Sequence, residues 1–135
     1  MGSKASVLVV EDYEDIRQQL ILSLRLRGFQ AEGAADGREA IEAYRRALSE
    51  GRNFDFAVLD YMLPFDYGDV VAADITRQAR ARGVSPPKMV AWSGSKDETM
   101  NARLQTAGVH PIFLKSADDA DLLDFLEMKA RRVAA

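Results

Sequence analysis

Ser6-Val7-Leu8-Val9-Val10-Glu11-Asp12 is the stretch on which the reading of this chain turns. The run before the acids is apolar, rich in β-branched valine and does not alternate with polar residues. That pattern suits a strand covered on both faces. Two carboxylates stand at its C-terminal end. The same arrangement returns three times. Phe54-Asp55-Phe56-Ala57-Val58-Leu59 runs into Asp60, Lys88-Met89-Val90-Ala91-Trp92 into Ser93, and Pro111-Ile112-Phe113-Leu114 into Lys115. A weaker strand candidate covers Phe29 to Ala34.

Amphipathic segments separate these runs. Ile16, Leu20 and Leu24 recur every fourth residue and predict a helix over about 14–27 with one buried face, stopped by Gly28. Asp36 and Glu39 form a capping box for a second helix, whose stripe is Ala40, Ile41, Ala43, Tyr44, Ala47 and Leu48. Val71, Ile75 and Ala79 mark a third helix over about 69–82. Ser95-Lys96-Asp97-Glu98 predicts the cap of a fourth, and Ser116-Ala117-Asp118-Asp119 the cap of a fifth carrying Leu122, Leu123, Phe125, Leu126 and Met128.

Strictly alternating strands and helices imply a parallel sheet with helices on both faces. Right-handed crossovers restrict the topology. The expected fold is α/β: a flavodoxin-like, doubly wound sheet of five parallel strands in the order 2-1-3-4-5, with five helices. The domain is read as 6–132, with 1–5 a disordered lead or cloning remnant.

Bulk properties narrow the function. The 135 residues fit one domain, and 47% apolar content is enough for a core. A net charge of -3 argues against a direct nucleic-acid partner. There are no cysteines, which excludes disulfides, thiol nucleophiles and cysteine-ligated zinc. No apolar run approaches the ~20 residues of a bilayer span. A cytoplasmic location and no membrane partner are expected.

In such a sheet all strand C-termini meet at one rim, beside the switch point between the first and third strands. Glu11, Asp12, Asp60, Ser93 and Lys115 are therefore expected together. Three carboxylates at close range repel one another, and burial worsens this. A compact cluster needs a cation. Oxygen donors without His or Cys favour a hard ion, of which Mg²⁺ is the natural candidate and one that keeps room for a phosphate. Lys115 adds a fixed positive charge and Ser93 a hydroxyl. Asp60 then becomes a nucleophile toward phosphorus, with charge on the transferring group neutralised from two directions.

The set Glu11-Asp12, Asp60, Ser93 and Lys115, each after its own strand, resembles the signature of response-regulator receiver domains. The resemblance covers roughly Ser6 to Arg131, and Pro64 and Gly68 match the family's loop after the phosphorylated aspartate. It implies that Asp60 is the phosphoacceptor for a histidine kinase or histidine phosphotransfer protein. It implies that Asp12, Asp60 and the Met62 backbone carbonyl ligate Mg²⁺, with Glu11 acting mainly through water. Lys115 would pair with the phosphoryl group, and Ser93 would hydrogen-bond it on activation. The face of the fourth helix, fifth strand and fifth helix would then change its downstream partner. Such a domain is a signalling phosphoacceptor that catalyses only its own phosphorylation and dephosphorylation, unless it comes from a hybrid histidine kinase. It would be a monomer or a weak phosphorylation-dependent dimer.

The sequence departs from the family at two positions. Ser116 follows Lys115 where the family usually has proline after a cis bond. A cis bond to serine costs ~3 kcal/mol, so either a trans bond with a shifted loop or a strained cis bond is expected. Ile112 stands where a rotating Tyr or Phe is usual, and Phe113 should point to the opposite face. Three other functions are weighed. An aspartate-nucleophile phosphatase needs a second aspartate where Met62 stands. A flavin module needs a glycine- and hydroxyl-rich phosphate loop where Glu11-Asp12 stands. A pseudo-receiver would bind partners without phosphorylation. Trp92 reads as a core or rim residue, His110 as structural or solvated, and Arg77, Arg80, Arg82, Arg131 and Arg132 as solvated helix faces.

Overall fold

Ser6–Val10 (β1) pairs in parallel with Gln30–Ala34 (β2) on one side and Phe56–Leu59 (β3) on the other. Lys88–Ser93 (β4) follows β3, and Val109–Leu114 (β5) closes the sheet, in the expected order β2-β1-β3-β4-β5. The computed structural model describes residues 4–95, 97–116 and 118–134. Met1–Ser3 of the expected lead lie outside the described residues. Ala5 lies within them and gives its carbonyl to the Gln30 N–H at 2.9 Å.

The pleat sends alternate side chains to two cores. Leu8, Val10, Ala57, Leu59, Met89 and Ala91 face one side. There they meet Gly37–Ser49 (α2), Gly68–Ala81 (α3) and Glu98–Thr106 (α4). Val7, Val9, Phe56, Val58, Val90 and Trp92 face the other, under Glu14–Leu26 (α1) and Ala120–Ala134 (α5). β1 and β3 are covered on both faces, as their unbroken apolar runs require.

The helix boundaries follow local chemistry. Gly28, Gly51, Gly83 and Gly108 all take positive φ just past helix ends. Asp36 accepts from the Glu39 N–H at 2.9 Å, and Glu39 reaches back to the Ala35 N–H at 3.1 Å. In α1 the buried residues are Leu20, Ile21 and Leu24, whereas Ile16 is 36% exposed. Leu20 and Leu24 of the expected four-residue ladder are thus in the core, joined there by Ile21 in place of Ile16.

Two caps differ from expectation. The N-cap of α4 is Asp97, which accepts from the Met100 N–H at 2.8 Å, rather than Ser95. Its carboxylate offers the stronger acceptor closer to the helix (Lys96 of the expected box lies outside the described residues). Ser116 and Asp119 do bond reciprocally, at 3.0 and 3.1 Å, but α5 begins only at Ala120. Asp119 itself sits at φ 51, so the pair closes a turn ahead of the helix (Ala117 is outside the described residues).

The β4–β5 register shifts between Met89–Val109 and Ala91–Ile112, so β5 carries one extra residue at His110–Pro111. Pro111 has no N–H to lose from the ladder, which suits a bulge on an edge strand. The His110–Pro111 bond is cis, while Lys115–Ser116 is trans, the first of the two alternatives for that bond.

Gly68 fixes how closely α3 approaches the end of β3. A Cβ there would lie 2.3 Å from the Asp60 carbonyl oxygen, whereas one at Gly94 would meet nothing within 4 Å. Gly68→Ala is expected to lower unfolding stability by about 1–3 kcal/mol, the usual scale of overpacking. Gly94→Ala is expected to change it little, and chemical denaturation of the two variants checks the contrast.

Candidate functional site

β1, β3, β4 and β5 end at one rim, and their register delivers the predicted residues there. The Asp60 N–H donates to the Val10 carbonyl at 3.2 Å and the Glu11 N–H to the Ala34 carbonyl at 3.0 Å. Both acids are thereby fixed by the ladder immediately past their strands. Ser93 is the buried last residue of β4, and its carbonyl accepts from the Lys115 N–H at 2.8 Å.

One carboxylate oxygen from each of Glu11, Asp12 and Asp60 lies within 4.8 Å of the others. Glu11 is fully buried and Asp60 nearly so, while Asp12 is exposed. Lys115 Nζ enters this group, 2.7 Å from Glu11 Oε2 and 2.9 Å from Asp60 Oδ2. The second Asp60 oxygen accepts from the Met62 N–H at 3.2 Å. The geometry thus brings Glu11, Asp12, Asp60 and Lys115 together. Ser93 stands at the same end of the sheet, since Leu59 is paired with Ala91.

The electrostatics follow from burial. Desolvation raises the Glu11 carboxyl above its ordinary pKa, and the Lys115 ammonium only partly offsets this. Burial alone would depress Lys115. Its hydrogen bonds to Glu11 and Asp60 outweigh that effect and hold it above its ordinary value. Lys115 is therefore charged throughout the neutral range, and its ammonium also lies 5.0 Å from the centre of the Trp92 ring.

The donor set fits a small hard cation. Mg²⁺ bonds to oxygen at about 2.1 Å, so opposed ligand oxygens lie roughly 4.2 Å apart. The three carboxylate oxygens, all within 4.8 Å of one another, are close enough to surround one such ion, directly or through water. The Lys115 ammonium, which bridges two of them, can yield them to a stronger charge.

Some contributors had no sequence signal. Arg17 Nη1 donates to the Glu11 carbonyl at 2.8 Å and anchors the residue from α1. Trp92 Nε1 donates to Asp119 Oδ1 at 2.8 Å, joining β4 to the turn after Lys115. An apolar strand residue gives no hint in sequence that its indole N–H has a partner 27 residues on.

Comparison with known proteins agrees with the geometry. The response regulator receiver domain family matches residues 7–127. The alkaline phosphatase synthesis transcriptional regulatory protein SphR of Synechococcus elongatus is 41% identical over 85 residues, covering 60% of this chain and 32% of that protein. The chain spans about a third of the length of such curated relatives. Chemotaxis protein CheY4 of Vibrio cholerae superposes with a TM-score of 0.80 at 24% identity, covering 93% of this chain and 98% of that one. A chain of the CheX–CheY–BeF3–Mg²⁺ complex of Borrelia burgdorferi gives 0.78 at 23%, covering 93% and 89%.

The raised Glu11 pKa means that the native state holds this proton more tightly than the unfolded chain does. Its unfavourable contribution is fully present above the folded pKa and disappears as pH falls through that value. Glu11→Gln is therefore expected to stabilise the metal-free protein at pH 7. The same change is expected to weaken Mg²⁺ binding. Thermal unfolding without metal and Mg²⁺ titration calorimetry check the two signs.

Proposed function

Because the chain belongs to the response regulator receiver domain family, we propose that it takes a phosphoryl group from a phosphohistidine donor onto Asp60, with Mg²⁺ bound beside it. The donor is a histidine kinase or a histidine phosphotransfer protein. The observation that carries this reading is the Lys115 ammonium shared between Glu11 and Asp60 in a pocket of three carboxylates. It is an arrangement in which one acid is buried, one is exposed, and the one between them is held at both oxygens.

An Asp60 carboxylate oxygen attacks phosphorus as the phosphorus–nitrogen bond of the donor breaks. The electron pair leaves with the imidazole, and the product is an aspartyl phosphate. The Met62 N–H and Lys115 ammonium orient the two Asp60 oxygens before attack. Lys115 follows the negative charge onto the phosphoryl oxygens. Asp12, Asp60 and the Met62 carbonyl would hold Mg²⁺, with Glu11 acting mainly through water. The ion would supply the second positive charge facing the transferred group. The Ser93 hydroxyl hydrogen-bonds a phosphoryl oxygen once transfer is complete. No second carboxylate stands at Met62 to protonate an outside leaving group, so the chain turns over only its own acyl phosphate.

The reading extends to signalling in the cytoplasm by a domain spanning 6–132. Phosphorylation alters the face made by α4, β5 and α5, and with it a protein partner, without direct nucleic-acid contact and as a monomer or weak dimer. Ile112 packs on the α4 side of the sheet and Phe113 on the α5 side, so this switch works without a swinging aromatic at 112.

Incubation with acetyl phosphate and Mg²⁺ is expected to add the mass of one phosphoryl group to the wild type and none to Asp60→Asn. No gain in the wild type, or an equal gain in the variant, contradicts the proposal. Either would favour a domain that binds partners without phosphorylation.

A further inference from the structure

Lys115 works at the end of an edge strand, and what fixes it there is not packing from α1. A cavity of about 320 Å³ opens between α1 and the turn after β5. Ile16, Gln19 and Ser23 line one wall, and Trp92, Lys115 and Asp119 the other. A long side chain beside such a space is not confined by packing, so where its charge sits depends on its ion pairs and on where its backbone is held.

Asp119 provides the hold. Its Oδ1 accepts from Trp92 Nε1 at 2.8 Å and from the Ser116 N–H at 3.0 Å, while its own N–H donates to Ser116 Oγ at 3.1 Å. One carboxylate oxygen thus ties the residue after Lys115 to a tryptophan that is 2% exposed. Asp119 adopts φ 51 to do this, a left-handed conformation that Asp and Asn tolerate better than other residues with a side chain. A proline at 116 would have no N–H to give, so this bond requires a residue other than proline there. The same Trp92 presents its ring to the Lys115 ammonium at 5.0 Å. The backbone after Lys115 and the surface beneath its ammonium are therefore set by one hub.

We propose that Asp119 is a positioning residue for phosphotransfer: by accepting from Trp92 and Ser116 together, it fixes the turn that carries Lys115 into the pocket of Glu11 and Asp60. This rests on the phosphoacceptor reading of Asp60. Without the hub, Lys115 withdraws toward the cavity. Two consequences follow, of opposite sign. Charge on the transferring group is less well neutralised, so phosphorylation slows. The carboxylates lose a competing cation, so Mg²⁺ binds more tightly. A general loss of structure would weaken both.

The test compares the wild type, Asp119→Ala, Asp119→Asn and Trp92→Phe. Initial phosphorylation rates with acetyl phosphate are read beside Mg²⁺ dissociation constants from calorimetry. Asp119→Ala is expected to phosphorylate on the order of 10- to 100-fold more slowly, the scale of a small misplacement of a catalytic group. Its Mg²⁺ binding is expected to tighten roughly two- to fivefold, as for loss of one partly exposed ion pair. Asp119→Asn keeps the accepting oxygen and is expected to match the wild type in both. Trp92→Phe keeps the ring without the N–H and should shift both readouts in the direction of Asp119→Ala, which serves if the alanine variant folds poorly. A wild-type rate and unchanged Mg²⁺ binding in Asp119→Ala, or an asparagine variant as impaired as alanine, overturns the proposal. If the wild type itself takes no phosphoryl group, the reading of Asp60 fails, while the Mg²⁺ constants still decide whether Asp119 positions Lys115.

Discussion

The bond on which this molecule depends is the one between the Lys115 ammonium and two carboxylates, Glu11 at 2.7 Å and Asp60 at 2.9 Å. Glu11 has no solvent exposure, and a lone charge there would be expelled by protonation. Removing Lys115 would leave that buried charge without compensation, a loss of about 3–5 kcal/mol for a buried pair, whereas removing the Glu11 charge leaves Lys115 paired with Asp60. The sheet is what makes the pairing possible. β1 and β3 are central strands whose ladder bonds continue through Glu11 and Asp60, while Lys115 leaves β5 through a bond to Ser93. Three positions distant in sequence thus meet with little freedom. The charge arrangement also leaves the site poised: the lysine makes the acids tolerable, yet being only one charge it does not saturate them.

Most of the architecture was readable because short, β-branched apolar runs bounded by turn residues favour buried parallel strands. β1 was expected at the residues where it is found, and the other strands to within two residues. The rim residues followed from the same rule, since a parallel sheet places all strand C-termini on one edge. What escaped the reading is equally physical. The exact buried face of α1 depends on its packing, which puts Ile21 rather than Ile16 in the core beside Leu20 and Leu24. The competition between Ser95 and Asp97 for the α4 cap depends on backbone that periodicity does not specify. Ser116 and Asp119 looked like a helix cap and are a turn clasp, because Asp119 takes a left-handed φ that no pattern announces. Trp92 looked inert because its partner, Asp119, is remote in sequence.

The segment after Asp60 shows how the site is joined to its surroundings when 112 is isoleucine. Tyr61 stacks on Tyr67 with ring centres 5.0 Å apart, and Met62 bridges to Tyr67 across the loop. Arg103 of α4 lies over the Tyr67 ring at 5.3 Å and bonds to Asp69 Oδ2 at 3.2 Å. The other Asp69 oxygen is buried without a hydrogen-bond partner. The loop after Asp60 is therefore in continuous contact with the first turn of α3 and the body of α4. In this chain the rim at Asp60 is connected to α4 through Tyr67 and Asp69, with isoleucine at 112.

The central claim is that these carboxylates form one site completed by a divalent ion. Thermal unfolding of the wild type and of Asp12→Asn, each with and without Mg²⁺, tests it most directly. Asp12 is the exposed member of the set, so its removal leaves the Lys115 pairing intact. Mg²⁺ is expected to raise the wild-type melting temperature, with about 2.7 kcal/mol gained at a hundredfold excess over Kd. Little or no rise is expected for Asp12→Asn. An equal rise in both proteins, or none in the wild type, would contradict the claim.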